Sequence, residues 1–129
     1  MNDSEIRESF ISEGSIINGA KISQSVIGLR SRLEKGSVID ATIMMGADYY
    51  QTIEDMRADL AASIPRIGVG PGTVIHRAII DKNARIGEGV RLVNEKGIEN
   101  FDSDDGSYYI RDRIILVPKN AMIKDGTVV

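Results

Sequence analysis

The sequence contains no cysteine, which excludes a disulfide framework, a thiolate nucleophile and a Cys-rich zinc site. It has one histidine, His76, so no site needing two or three histidine ligands can come from one chain. Aromatic residues are scarce, with two Phe, four Tyr and no Trp, so any core must be aliphatic. No apolar run approaches the ~18 residues of a membrane span. The opening MNDSEIRESF lacks the apolar stretch of a signal peptide. Excess positive charge is also absent: 16 basic against 19 acidic residues leave −3. That disfavours a dedicated nucleic-acid binder, whose footprint is basic. The expectation is a soluble, cytoplasmic protein with neither nucleic acid nor membrane as partner.

The 129 residues suit a single domain, and a hydrophobic content of 42% is enough for a core. Twenty Ile and nine Val stand against five Leu, a β-branched bias that favours strands. These residues are periodic. Aliphatics recur at Ile16, Ile22, Ile27, Leu33, Ile39 and Met44, with spacings of 6, 5, 6, 6 and 5. A second run, Val69, Ile75, Ile80, Ile86 and Leu92, lies on the first after a shift of 53 residues. Val117, Ile123 and Val129 form a third.

Other positions of the repeat agree. Three residues after the leading aliphatic, Gly19, Gly36, Gly72, Asn83, Gly89, Asn120 and Gly126 occupy seven of eight six-residue units, and Arg30 is the exception. Gly and Asn tolerate a left-handed backbone. The next residue is small or β-branched. In the five-residue units Ser25, Thr42 and Ala78 precede Val26, Ile43 and Ile79, as if one corner were tightened. The pattern predicts short strands joined by tight corners, three sides to a coil, in an all-β parallel β-helix. Spacing leaves the hand open. At Arg30 the choice is between a slightly different turn and a strained, functional corner. Gly68-Val69-Gly70 reads as one more corner rather than a nucleotide loop.

Two stretches break the rhythm. The coils are expected at about 10–44, 67–93 and 114–129, with an insertion at 45–66 and an excursion at 94–113. In the insertion, Thr52 followed by Asp55 is a helix start, and Ile53, Met56 and Leu60 share one helical face. A short helix at about 53–62, packed on the coil, follows. The excursion runs acidic, then aromatic, then basic, and returns through Tyr108, Tyr109 and Ile110. Its DSDDG lacks the alternating ligands of a calcium loop and reads as a solvated turn.

The segments SVIGLRSRLEKGSVI (25–39), MMGADYY (44–50), IGVGPGTVIHRAIIDKNARIGEGV (67–90) and VPKNAMIKDGTVV (117–129) carry a resemblance. They resemble the C-terminal left-handed β-helix domain of glucose-1-phosphate adenylyltransferase, or ADP-glucose pyrophosphorylase. MGADYY and AIIDKNARIG are its most specific parts. The resemblance implies the left hand and a role in joining subunits and in allosteric control of ADP-glucose synthesis. That enzyme turns ATP and glucose 1-phosphate into ADP-glucose and pyrophosphate, on the way to glycogen or starch. Its nucleotidyltransferase domain, with the Mg2+ cofactor, has no counterpart here. The chain is therefore expected to be a fragment or a separately expressed regulatory domain, inactive and cofactor-free by itself. In the branch activated by 3-phosphoglycerate, two lysines contact the phosphorylated effector, and the matching motifs put them at Lys82 and Lys119. Other members answer to fructose 1,6-bisphosphate, fructose 6-phosphate or pyruvate. The implied partners are a sugar-phosphate or phosphoglycerate-type effector, the catalytic domain of the same enzyme, and further copies in a homo-oligomer.

Lys82 and Lys119 have the same offset, two after Ile80 and Val117. Both therefore stand on coil corners, though not necessarily the same one. An ammonium on a flexible stem suits a phosphate, and Arg77 and Arg85 are the candidates to add bidentate contacts, with Arg111 and Arg113 behind them. Each of these is otherwise a solvated edge charge. Two rival readings are a free-standing hexapeptide acyltransferase, trimeric, with His76 as general base, and a ligand-free assembly module. The γ-type carbonic anhydrases share the coil but need three histidines per zinc, which this chain cannot supply.

Overall fold

A computed structural model describes residues 4–129. The short strands stack into three walls, each a parallel sheet of successive coils. The first wall is Glu5–Arg7, Lys21–Ser23, Val38–Asp40, Val74–His76 and Arg91–Leu92. The second is Phe10–Ile11, Val26–Ile27, Ile43–Met44, Ala78–Ile80 and Ile114–Val117. The third is Ile16–Ile17, Arg32–Leu33, Gly68–Val69, Arg85–Ile86 and Met122–Ile123. The winding begins at Glu5–Arg7, ahead of the expected residue 10, because Ile6 and Ile11 face the prism as later aliphatics do.

One aliphatic per strand points inward and stacks on its equivalent a coil away. On the first wall Ile22 pairs with Ile39 and Ile39 with Ile75. On the second, Ile27, Met44, Ile80 and Val117 follow one another. All are buried. The small residues after the corners, from Ala20 to Val90, are inside as well, while Ala121 and Thr127 in the last coil are half-buried. Ser31, Ser37 and Thr73 spend their hydroxyls on the carbonyls of Gly28, Glu34 and Gly87, at 2.7–2.8 Å. Among the described residues no buried side-chain polar atom is left without a partner, as a dry prism interior requires.

The repeat differs from expectation at three points. Ile17, not Ile16, faces inward, since Ile17 pairs with Leu33 and Ile16 with Arg32. The unit from Ile17 to Ile22 is therefore five residues long, and periodicity cannot choose between two adjacent isoleucines. Arg30 makes the same turn as its equivalents, with φ 55° beside 60° at Asn83 and 62° at Asn120. Its Nε donates to the Ala47 carbonyl at 2.9 Å, which holds the arginine in place. Gly68-Val69 is a strand with Val69 inward, and the left-handed corner comes later, at Gly72. The tightened corners at the first-to-second edge use left-handed non-glycine residues: Glu8, Gln24, Ala41 and Arg77, with φ between 47° and 55°.

The insertion contains α1, Ile53–Ala61, opened by a capping box between Thr52 and Asp55. Its apolar face is not packed on the coil as expected: Ile53 and Leu60 are 67% and 81% exposed. The helix is held off the third wall by a polar clamp. Asp59 accepts from Arg85 at 2.7 Å and from Gln51 at 2.6 Å, and Gln51 accepts from the Ile67 amide at 2.9 Å. Beneath the helix lie Gly68, Gly70, Pro71 and Gly87, which offer little side chain to meet it, and a cleft of about 460 Å3 remains. The excursion forms an antiparallel pair, Asn100–Asp102 with Tyr109–Arg111, which extends the second wall beyond Ile114–Val117. Ile110 closes over the end of the core at 1% exposure, and DSDDG is the turn between these strands.

Candidate effector site

The edge between the second and third walls carries the candidate lysines. Its corners stack through the backbone: the Ala47 amide donates to the Leu29 carbonyl, Asn83 to Gly46, and Asn120 to Lys82, at 2.9–3.1 Å. Lys82 and Lys119 thus stand on the same corner of successive coils. The left-handed Asn83 and Asn120 set both side chains facing solvent, about half exposed. Gly46 takes φ 89° on this edge, and a Cβ there would run into the Leu29 carbonyl.

Between the two amines sits Asp48. Its Oδ1 is 3.4 Å from Lys82 Nζ and its Oδ2 is 3.7 Å from Lys119 Nζ. Asn83 Nδ2 donates to Asp48 Oδ2 at 3.0 Å, and the Asp48 amide donates to Asn83 Oδ1 at 2.9 Å. The hydrogen bond from Asn83, with the ammonium of Lys82 and then that of Lys119, holds the Asp48 carboxyl below its usual range against the opposing effect of desolvation. Neither Asp48 nor Asn83 emerges as a site residue from the sequence. Asp48 lies in MGADYY, outside the repeat, and only the fold of the insertion brings it to the corner. That segment is latched by the Tyr50 hydroxyl, which donates to the Gly14 carbonyl at 2.9 Å.

The other candidates lie elsewhere. Arg77 turns the opposite edge of the second wall, where its amide donates to the Asp40 carbonyl at 3.1 Å. Arg85 is on the third wall, with its guanidinium on Asp59 and the Pro65 carbonyl. Arg111 and Arg113 pair with Asp102 and Glu99 within the excursion. Two of the four site residues, Lys82 and Lys119, are therefore brought together, and Arg77 and Arg85 are not among them.

His76 faces outward on the first wall, in register with Asp40 and Ser23. Its Nδ1 lies 2.7 Å from Asp40 Oδ2, and Ser23 Oγ donates to Asp40 Oδ1 at 2.6 Å. The Ser23 hydroxyl first, then His76, keeps the Asp40 carboxyl below its usual range despite some desolvation. Ser23 is bonded to the carboxylate rather than to the imidazole, so the three make a side-chain ladder along the wall, not a nucleophile–base pair. Among the described residues there is no group of three His, Cys, Asp or Glu side chains able to hold a metal, and no helix is long and apolar enough to cross a membrane.

The architecture and the motifs agree with one protein family. The model of the GLGC left-handed parallel beta-helix domain matches residues 1–128.

Proposed function

The chain belongs to the family of GLGC left-handed parallel β-helix domains, and on that premise we propose that it is the regulatory and subunit-assembly domain of ADP-glucose pyrophosphorylase. A phosphorylated effector binds at the Lys82–Lys119 corner and bridges it to the catalytic domain. The observation that carries this reading is the convergence of both ammonium groups, 37 residues apart in sequence, on the single Asp48 carboxylate. An anion of similar size can take the same place. The amines are mobile point charges suited to a phosphoryl group, and neither is committed to a buried partner. The effector then favours whichever domain arrangement it binds more tightly, and the coupling is limited by that difference in affinity.

In the enzyme that contains this domain, Lys82→Ala and Lys119→Ala are expected to raise the effector concentration needed for half-activation at least about tenfold, with the basal rate little changed. An unchanged half-activation concentration in both variants would count decisively against the site.

The assembly role is supported by the outer face of the second wall. Phe10, Val26 and Ile43 follow one another down successive coils and are 80%, 43% and 47% exposed. A continuous apolar strip on a flat wall is the kind of surface that partners cover.

A further inference from the structure

The corner that carries Lys82 and Lys119 already holds an anion, supplied by the chain itself. The Asp48 carboxylate spans the two amines, at 3.4 Å from one and 3.7 Å from the other. Asn83 holds the residue at both ends, its Nδ2 donating to the carboxylate and its Oδ1 accepting from the Asp48 amide, and Asn83 is itself 8% exposed and set in a left-handed corner. A tethered carboxylate of this kind meets the amines at an effective concentration on the order of millimolar or above. An incoming ligand that bridges the two amines in the same place has to displace it.

We propose that Asp48 is a tethered competitor and the specificity-determining residue of this corner, turning away monoanions and admitting dianions such as phosphoryl groups. The proposal rests on the reading of the corner as an anion site. A singly charged ligand offers the amines no more than Asp48 provides, and it loses translational freedom in doing so. A phosphoryl dianion brings about twice the charge and three acceptor oxygens. It engages both ammonium groups and leaves Asp48 to Asn83 and water. The flexible lysine stems allow the exchange without moving the coil. The adjacent Asp81 has a different task, since its carboxylate accepts from the Lys82 amide at 2.6 Å.

The test is calorimetric titration of the whole chain with inorganic phosphate and, separately, acetate at low ionic strength. The proteins are the wild type, Asp48→Asn, Asp48→Ala, Lys82→Ala, and Glu88→Gln, which removes one negative charge from a different corner. Both Asp48 variants are expected to bind phosphate about three- to tenfold more tightly than the wild type. Acetate, silent on the wild type, becomes measurable with them, while Glu88→Gln stays within about twofold. Equal phosphate affinity in the wild type and both Asp48 variants, with binding still lost in Lys82→Ala, overturns the competitor role and leaves the anion site standing. Weaker binding in the Asp48 variants also overturns it and makes Asp48 a positioning residue. A gain in Glu88→Gln as large as in Asp48→Asn reduces the effect to net charge and overturns it as well. Phosphate binding by none of the proteins sinks the site and the proposal together.

Discussion

Ile39 lies fully buried between Ile22 and Ile75, its equivalents on neighbouring coils. Truncating it leaves a gap in a stack whose neighbours are held at a fixed strand spacing and cannot close in. Ile39→Ala is therefore expected to lower the unfolding free energy by about 2–5 kcal/mol. Val38→Ala, one position along on the outward face, costs less than about 1 kcal/mol. Chemical denaturation of the two variants checks the inward assignment, and equal losses would contradict it. The same alternation decides between Ile16 and Ile17. Both satisfy the aliphatic pattern, and only the pairing of Ile17 with Leu33 selects one. The left-handed Gln24, Ala41 and Arg77 were illegible for another reason. Their side chains carry no left-handed preference, and the closure of the coil overrides the local cost.

At the scale of elements, α1 was readable at its start and misread on its face. Thr52 and Asp55 announce a capping box from sequence alone. The apolar positions Ile53, Met56 and Leu60 imply burial, but the Arg85–Asp59–Gln51 clamp holds them over glycines. The helix therefore depends on an ionised Asp59. Desolvation works to raise that carboxyl, but Gln51, Arg85 and Arg66 outweigh it and hold it below the usual range. A depressed carboxylate contributes stability above its unfolded pKa, and the contribution is lost as pH falls through the folded value. Acidification below the ordinary carboxylate range is expected to release α1 while the coil stays wound. Amide exchange across Ile53–Ala61 against exchange in the walls measures this. Asp59→Asn should give the same release at neutral pH, and coincident loss of helix and coil in both cases would refute the clamp.

At the scale of the whole molecule, the second wall gives the assembly reading its sharpest consequence. If copies meet through Phe10, Val26 and Ile43, then Val26→Lys places a charge at the middle of the strip. The substitution is expected to convert the associated form to monomer with little change in melting temperature, since Val26 points away from the core. Light scattering across a concentration series reads the outcome. Unaltered association would move the interface to another surface, such as the open strand edges at the coil ends. The paired amines belong to this scale as well. Their equal offset was legible, but sharing one corner depends on how many residues the excursion adds between Lys82 and Lys119.

The sequence by itself determined the coil: the aliphatic rhythm, the left-handed Gly and Asn, the small inward residues and the helix cap are local preferences repeated often enough to agree. It also marked Lys82 and Lys119, through motifs rather than through physics. Only the tertiary structure decided which isoleucine turns inward, that α1 stands clear of the wall, and that Asp48 comes to rest between the two lysines. The first is a choice between adjacent residues that the coil period does not resolve, and the others depend on contacts between residues 26 to 71 positions apart that start from the insertion, which no repeat along the chain encodes.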